Sequence, residues 1–225
     1  MARFNKIEVL VRMKEIGVIP VFYHTDAEIC KKVMKACYDG GLTIFEFTNR
    51  GDFAHEVFSS ISKYATENLP GIILGVGSIV DPATTALYIQ SGADFIVSPA
   101  LNREMAKICN RRKVPWIPGC GSVSEISEAE ELGADVIKVF PASLVGGPKF
   151  VASVLGPMPW SNIMPTGGVE PDKENLSAWF DAGVYCVGMG SKLITKEIIQ
   201  NSDYELLQRN VIDIIALIKN LRTKI

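Results

Sequence analysis

Histidine is scarce in this chain. Only His24 and His55 occur in 225 residues, and the five cysteines (Cys30, Cys37, Cys109, Cys120 and Cys186) show no Cys-x-x-Cys spacing. With so few clustered nitrogen and sulfur ligands, a protein-ligated zinc is not expected. An odd cysteine count, mostly in apolar helix or strand contexts, points to reduced core residues of a cytoplasmic protein. There is no basic run, and the formal net charge is −2, so nothing draws the chain electrostatically to nucleic acid. No apolar run approaches the ~20 residues that cross a bilayer. Arg3, Lys6, Glu8, Arg12, Lys14 and Glu15 interrupt the first 17 residues, which excludes a signal peptide there. What remains is a chain nearly half apolar, of a length that suits one domain over residues 1–225.

The apolar periodicity alternates between helix and strand. Phe4, Ile7, Leu10, Val11 and Met13 give a first helix ending near Gly17. Val18 to Tyr23 reads as a strand, and Pro20 marks it as irregular or near its end. Thr25 or Asp26 caps the next helix, Asp81 and Ser124 are expected to cap later ones, and further helices are expected to start at Asn102 and Asp172. A helix stop followed by a buried strand recurs as Gly-Gly-Leu-Thr-Ile-Phe-Glu-Phe, Gly-Ala-Asp-Phe-Ile-Val, Gly-Ala-Asp-Val-Ile-Lys-Val-Phe-Pro and Gly-Val-Tyr-Cys-Val-Gly. Eight such strands, apolar enough to be buried on both faces, predict an α/β fold of the (β/α)₈ TIM-barrel type. An extra N-terminal helix precedes it, and a closing helix from Ser202 or Asp203 to Arg222 ends it. That helix presents a face able to cap the barrel, join a subunit interface, or do both. A doubly wound sheet is the rival fold. Against it, the stretches 75–80 and 119–124, read as loops, both lack the third glycine of a dinucleotide fingerprint.

Two strands carry an ion where apolar residues belong. Lys138 lies between Ile137 and Val139, and Glu46 between Phe45 and Phe47. A buried ammonium must find a carboxylate or lose its proton, and the neutral amine is a nucleophile for ketones. Both ions sit late in their strands, where a barrel places its active site. One reading makes them nucleophile and proton shuttle. The other makes them a plain ion pair that orders the barrel, or leaves Lys138 reaching water at the strand's end. Arg50, just past the Glu46 strand, could clamp a carboxylate in a bidentate fork or lie in solvent. Glycine-rich loops end the last two strands, at Pro165-Thr166-Gly167-Gly168 and Gly188-Met189-Gly190-Ser191. They are tight turns, or the phosphate site that such barrels build from these two loops.

In this order the motifs resemble those of the class I aldolases that cleave 2-keto-3-deoxy-6-phosphogluconate (KDPG), often also 4-hydroxy-2-oxoglutarate (KHG), over about residues 17–193. The resemblance makes Lys138 the Schiff-base lysine and Glu46 the general acid/base. Arg50 and Ser78 become the carboxylate-binding pair, Ser78 standing where the family pattern has threonine. It makes Gly167, Gly168, Gly190 and Ser191 the phosphate site. Thr48, Pro99, Phe140 and Thr166 become pocket residues, with Phe140 beside the imine. It further implies pyruvate and a 2-keto-3-deoxy sugar acid phosphate as ligands, no metal or organic cofactor, and a homotrimer. Two other functions fit the same residues: a cofactor-free sugar-phosphate isomerase or epimerase, and a non-catalytic barrel that binds a phosphorylated ligand.

Overall fold

Helix starts are set by short polar side chains. Asn5 and Glu8 form a reciprocal capping box on α1 (Lys6–Ile16), and Gly17 ends it in a left-handed conformation. Asp26 caps α2 (Ala27–Asp39), Asp81 caps α4 (Pro82–Gln90), and Asn102 caps α5 (Arg103–Arg112). The cap of α6 (Val123–Glu131) is Ser122 rather than the expected Ser124, because the helix begins two residues earlier. Asp172 caps α8 (Lys173–Asp181), and Asp203 caps α10 (Tyr204–Arg222). Two more helices, α3 (Ala54–Asn68) and α7 (Gly147–Leu155), begin without a side-chain cap bond. The short α9 (Lys196–Asn201), capped by Thr195, was not expected.

Between the helices run β1 (Val18–Phe22), β2 (Ile44–Thr48), β3 (Ile73–Gly77), β4 (Ile96–Val97), β5 (Trp116–Ile117), β6 (Gly119–Cys120), β7 (Ile137–Val139), β8 (Ile163–Pro165) and β9 (Val187–Met189). The computed structural model describes residues 2–223. The strands form two parallel sheets, β5-β4-β3-β2-β1-β9 and β6-β7-β8. Pro118 alone separates β5 from β6. At the other seam, Thr166 bridges Gly188 in parallel, and the Tyr185 N–H donates to the Ile163 carbonyl at 2.8 Å. Pro20 lies inside β1, and the ladder to β2 begins only at Val21, one residue past the position that has no N–H.

Alternate strand residues enter different cores. Ile19, Ile44, Ile73, Val97, Ile117 and Met164 gather on one face with Val9 and Met13 of α1. Val18, Phe45, Leu74, Ile96 and Trp116 face the other way, into the layer of outer helices. The segment before α1 is strapped down by Arg3, which bonds the buried Asp94 and the Ile72 carbonyl. The long last helix joins that outer layer, packing on α2 and α8. A Cβ on Gly40 would stand 2.5 Å from Val211 of α10, so the glycine permits the close approach. Among the described residues no helix is long and apolar enough to cross a membrane.

Candidate active site

β2 and β7 each point one ionisable side chain away from the helices. Glu46 is fully buried, and neither carboxylate oxygen has a hydrogen-bond partner among the described residues. Its place is cut out by β3, where a Cβ on Gly77 would stand 1.8 Å from Glu46 Oε1. Lys138 is 6% exposed, with Nζ 5.0 Å from the centroid of the Phe140 ring. Among the described residues neither Glu46 nor Lys138 enters an ion pair within 4.0 Å. The plain ion pair that the sequence allowed is therefore not formed, and Lys138 keeps only a small residual exposure.

Burial decides the charges. Desolvation raises the Glu46 pKa above the usual carboxylate value, opposed by the positive charges of Lys138 and Arg50. Desolvation likewise lowers the Lys138 pKa; Glu46 pulls it back up and Arg50 pushes it further down. Each shift favours the neutral form, so the pair moves toward a free amine facing a carboxylic acid.

Arg50 stands at the same end of β2, its Nε donating to Ser78 Oγ at 3.4 Å. Ser78 ends β3 with φ 60°, a left-handed conformation that costs a serine strain and aims its hydroxyl at the guanidinium. The turn between them is fixed from behind. The Asn49 N–H donates to the Gly77 carbonyl at 2.8 Å, and Asn49 Oδ1 accepts from the buried Tyr88 hydroxyl of α4 at 2.8 Å. Thr48 is buried at the end of β2. Pro99 follows β4 and presents its carbonyl to Gly119, the register partner of Lys138. Phe140 directly follows β7, and its ring stands beside the Lys138 amine.

The two glycine loops come together at the seam between β8 and β9. Gly167 and Gly168 both take positive φ, a conformation that glycine adopts without strain. Among the described residues nothing accepts a hydrogen bond from the backbone N–H of Gly167, Gly168, Gly190 or Ser191. Thr166 Oγ1 beside them is buried and unpartnered. Unpaired backbone amides are donors that an anion can use.

The stretches 75–77 and 119–120 are strand, not loop as expected. Their glycines are forced by sterics rather than by turns: Gly75 lies under Phe95, Gly77 under Glu46, and Gly119 against the Pro99 backbone. Gly77, Asn49 and Tyr88 went unnoticed as site residues in the sequence. The Gly-x-Gly spacing, which puts both glycines on one side of a strand, was the available signal for Gly77.

A desolvated lysine near an unpaired carboxyl, with an arginine–serine pair and unpaired loop amides at the same strand ends, fits the class of enzyme that works through a lysine amine. The family model described as KDPG and KHG aldolase matches residues 9–210, and the chain belongs to that family. It is 32% identical over 206 residues to the 2-dehydro-3-deoxy-phosphogluconate aldolase of Pseudomonas aeruginosa, covering 91% of this chain and 89% of the relative. To the KHG/KDPG aldolase of Escherichia coli K12 it is 30% identical over 194 residues, 85% of this chain and 87% of the relative. The crystal structure of the Legionella pneumophila KDPG aldolase, with pyruvate captured as a covalent carbinolamine, superposes with a TM-score of 0.82. That match has 27% identity and covers 91% of this chain and 97% of the other.

Proposed function

We propose that this chain is a class I aldolase that cleaves KDPG to pyruvate and glyceraldehyde 3-phosphate, and KHG to pyruvate and glyoxylate. The observation that carries the reading is the buried Lys138 amine, held below its ordinary pKa with no ion-pair partner. It attacks the C2 ketone, and the Glu46 carboxyl supplies the proton that carries the C2 oxygen off as water, leaving a protonated Schiff base and a Glu46 carboxylate. That cation accepts the electron pair of the breaking C3–C4 bond. Glu46, as carboxylate, takes the C4 hydroxyl proton while the aldehyde leaves, then returns a proton to the enamine carbon. Water hydrolyses the imine and frees pyruvate. Arg50 and Ser78 hold the substrate carboxylate, and Thr48 and Pro99 line the pocket. Phe140 shields the imine. The amides of Gly167, Gly168, Gly190 and Ser191, with Thr166 beside them, take the phosphate. The capture of pyruvate on the similar Legionella enzyme supports the carbinol step.

The same reading takes residues 1–225 as one domain whose two sheets close into a single (β/α)₈ barrel. The Thr166–Gly188 bridge, the one-residue break at Pro118 and a core cluster fed by strands of both sheets support it. It also takes three chains as the working assembly, as the family resemblance implies.

The test is pyruvate release from KDPG in a coupled assay. Wild type should turn over, Lys138→Ala should be inactive, and Glu46→Gln should lose about 10²–10⁴ in rate. Full activity in either variant contradicts the assignment.

A further inference from the structure

Two charged residues outside this machinery stand directly behind the glycine loops. Glu170 follows Gly167-Gly168-Val169, and Lys192 follows Gly190-Ser191. Their side chains meet across the gap, Lys192 Nζ to Glu170 Oε1 at 3.0 Å. Each loop has further anchors, the first also on the segment after β7, where the Ser143 N–H donates to the Gly167 carbonyl at 3.1 Å. Asn175 and Trp179 of α8 donate to the Gly168 carbonyl, and Asn175 Oδ1 accepts the Glu170 N–H. On the other side, the Leu193 and Ile194 amides donate to the Gly190 carbonyl. The ion pair therefore spans from one loop to the other.

Charge shows what it is for. A phosphate monoester arrives with about −1.5 to −2. The donors gathered for it, four backbone amides and the Ser191 hydroxyl, are all neutral. Lys192 is a cation next in sequence to Ser191, and its flexible four-carbon stem lets the ammonium re-aim. Its bond to Glu170 is a half-exposed pair, 58% and 43% accessible, of the kind that is weak in water. A phosphate dianion competes for the ammonium with more charge than a single carboxylate.

We infer that Lys192 is a specificity-determining residue for phosphorylated substrates, exchanging Glu170 for the phosphate on binding. Glu170 is the competing anion that tempers this attraction in the empty site. The inference rests on the phosphate-loop reading above and adds to it a cation and a built-in competitor.

The experiment runs the reaction as aldol addition of pyruvate to glyceraldehyde 3-phosphate or to unphosphorylated glyceraldehyde. Lys192→Met should raise KM for the phosphorylated aldehyde about three- to tenfold, the effect of one exposed charge contact. Its KM for pyruvate and its rate with glyceraldehyde should stay as in wild type, and Lys192→Arg should retain the wild-type KM. Glu170→Gln should move the other way and lower KM for the phosphorylated aldehyde. Both differences should shrink as ionic strength rises. If both variants raise that KM alike, the pair is a structural clip and the inference falls; it falls equally if neither variant changes it. A wild type that prefers unphosphorylated glyceraldehyde overturns the phosphate-loop reading itself, and this inference with it.

Discussion

An ammonium at Lys138 loses most of its hydration, and no carboxylate within ion-pair distance replaces it. Its pKa in the folded chain is below that in the unfolded chain. Between those two values the unfolded state holds a proton that the folded state lacks, so stability rises with pH there. Below the folded value the penalty is present in full; above the unfolded value it is gone. Lys138→Met, close in volume and without charge, should thus raise Tm near neutral pH by about 2–8 °C, from roughly 1–2 kcal/mol. The gain should vanish as pH rises through the ordinary lysine range, which thermal melts across pH check. A variant less stable than wild type at neutral pH would contradict a costly buried lysine. Gly77 makes a second prediction at this scale. Gly77→Ala places a methyl on the Glu46 carboxyl while touching no other group at short range. It should fold, and should lose about 10²–10⁴ in kcat, measured by steady-state kinetics. Lys138 and Glu46 were legible in the sequence because an ion in an apolar strand stands out. Gly77 was not, because its partner lies on another strand.

The strand-end turns matter as units. Asn49 joins the turn after β2 to the end of β3 through the Gly77 carbonyl, and Tyr88 of α4 secures it from behind. Arg50 and Ser78 sit on either side of that tie. Removing one neutral hydrogen bond costs about 1 kcal/mol. Tyr88→Phe should therefore raise KM for pyruvate about fivefold in the aldol direction and leave KM for glyceraldehyde 3-phosphate unchanged. Steady-state kinetics with each substrate varied separates the two, and equal rises in both would point to a general loss of structure instead. The helices were legible through their caps, Asp26, Asp81 and Asp203 among them. β3 and β9 run on into stretches read as glycine-rich loops, at 75–77 and 188–189, because their glycines resemble turn signals. In the folded chain those glycines answer to a neighbour's bulk, which a single sequence does not display.

For the whole molecule, the two ends of the chain take different tasks. The first helix covers the inner cluster, and Arg3 pins its lead-in to Asp94. The last helix lies on α2 and α8, with Arg222 reaching back to the carbonyls of Lys14 and Tyr185. Sequence periodicity gave α10 an apolar face without saying what it covers, since a helix face carries no address. The alternation of parallel strands and helices was legible, and so was the order of the motifs along it. Their convergence was not, because β2 and β7 belong to different sheets whose packing no single sequence displays. That convergence rests most directly on the identity of the reacting amine. Pyruvate is added to the protein, borohydride follows, and the modified peptide is found by mass spectrometry. The account predicts one reduced pyruvyl adduct, on Lys138, absent from Lys138→Ala and formed more slowly in Glu46→Gln. Folded wild-type protein with no adduct, or with the adduct on another lysine, would contradict it.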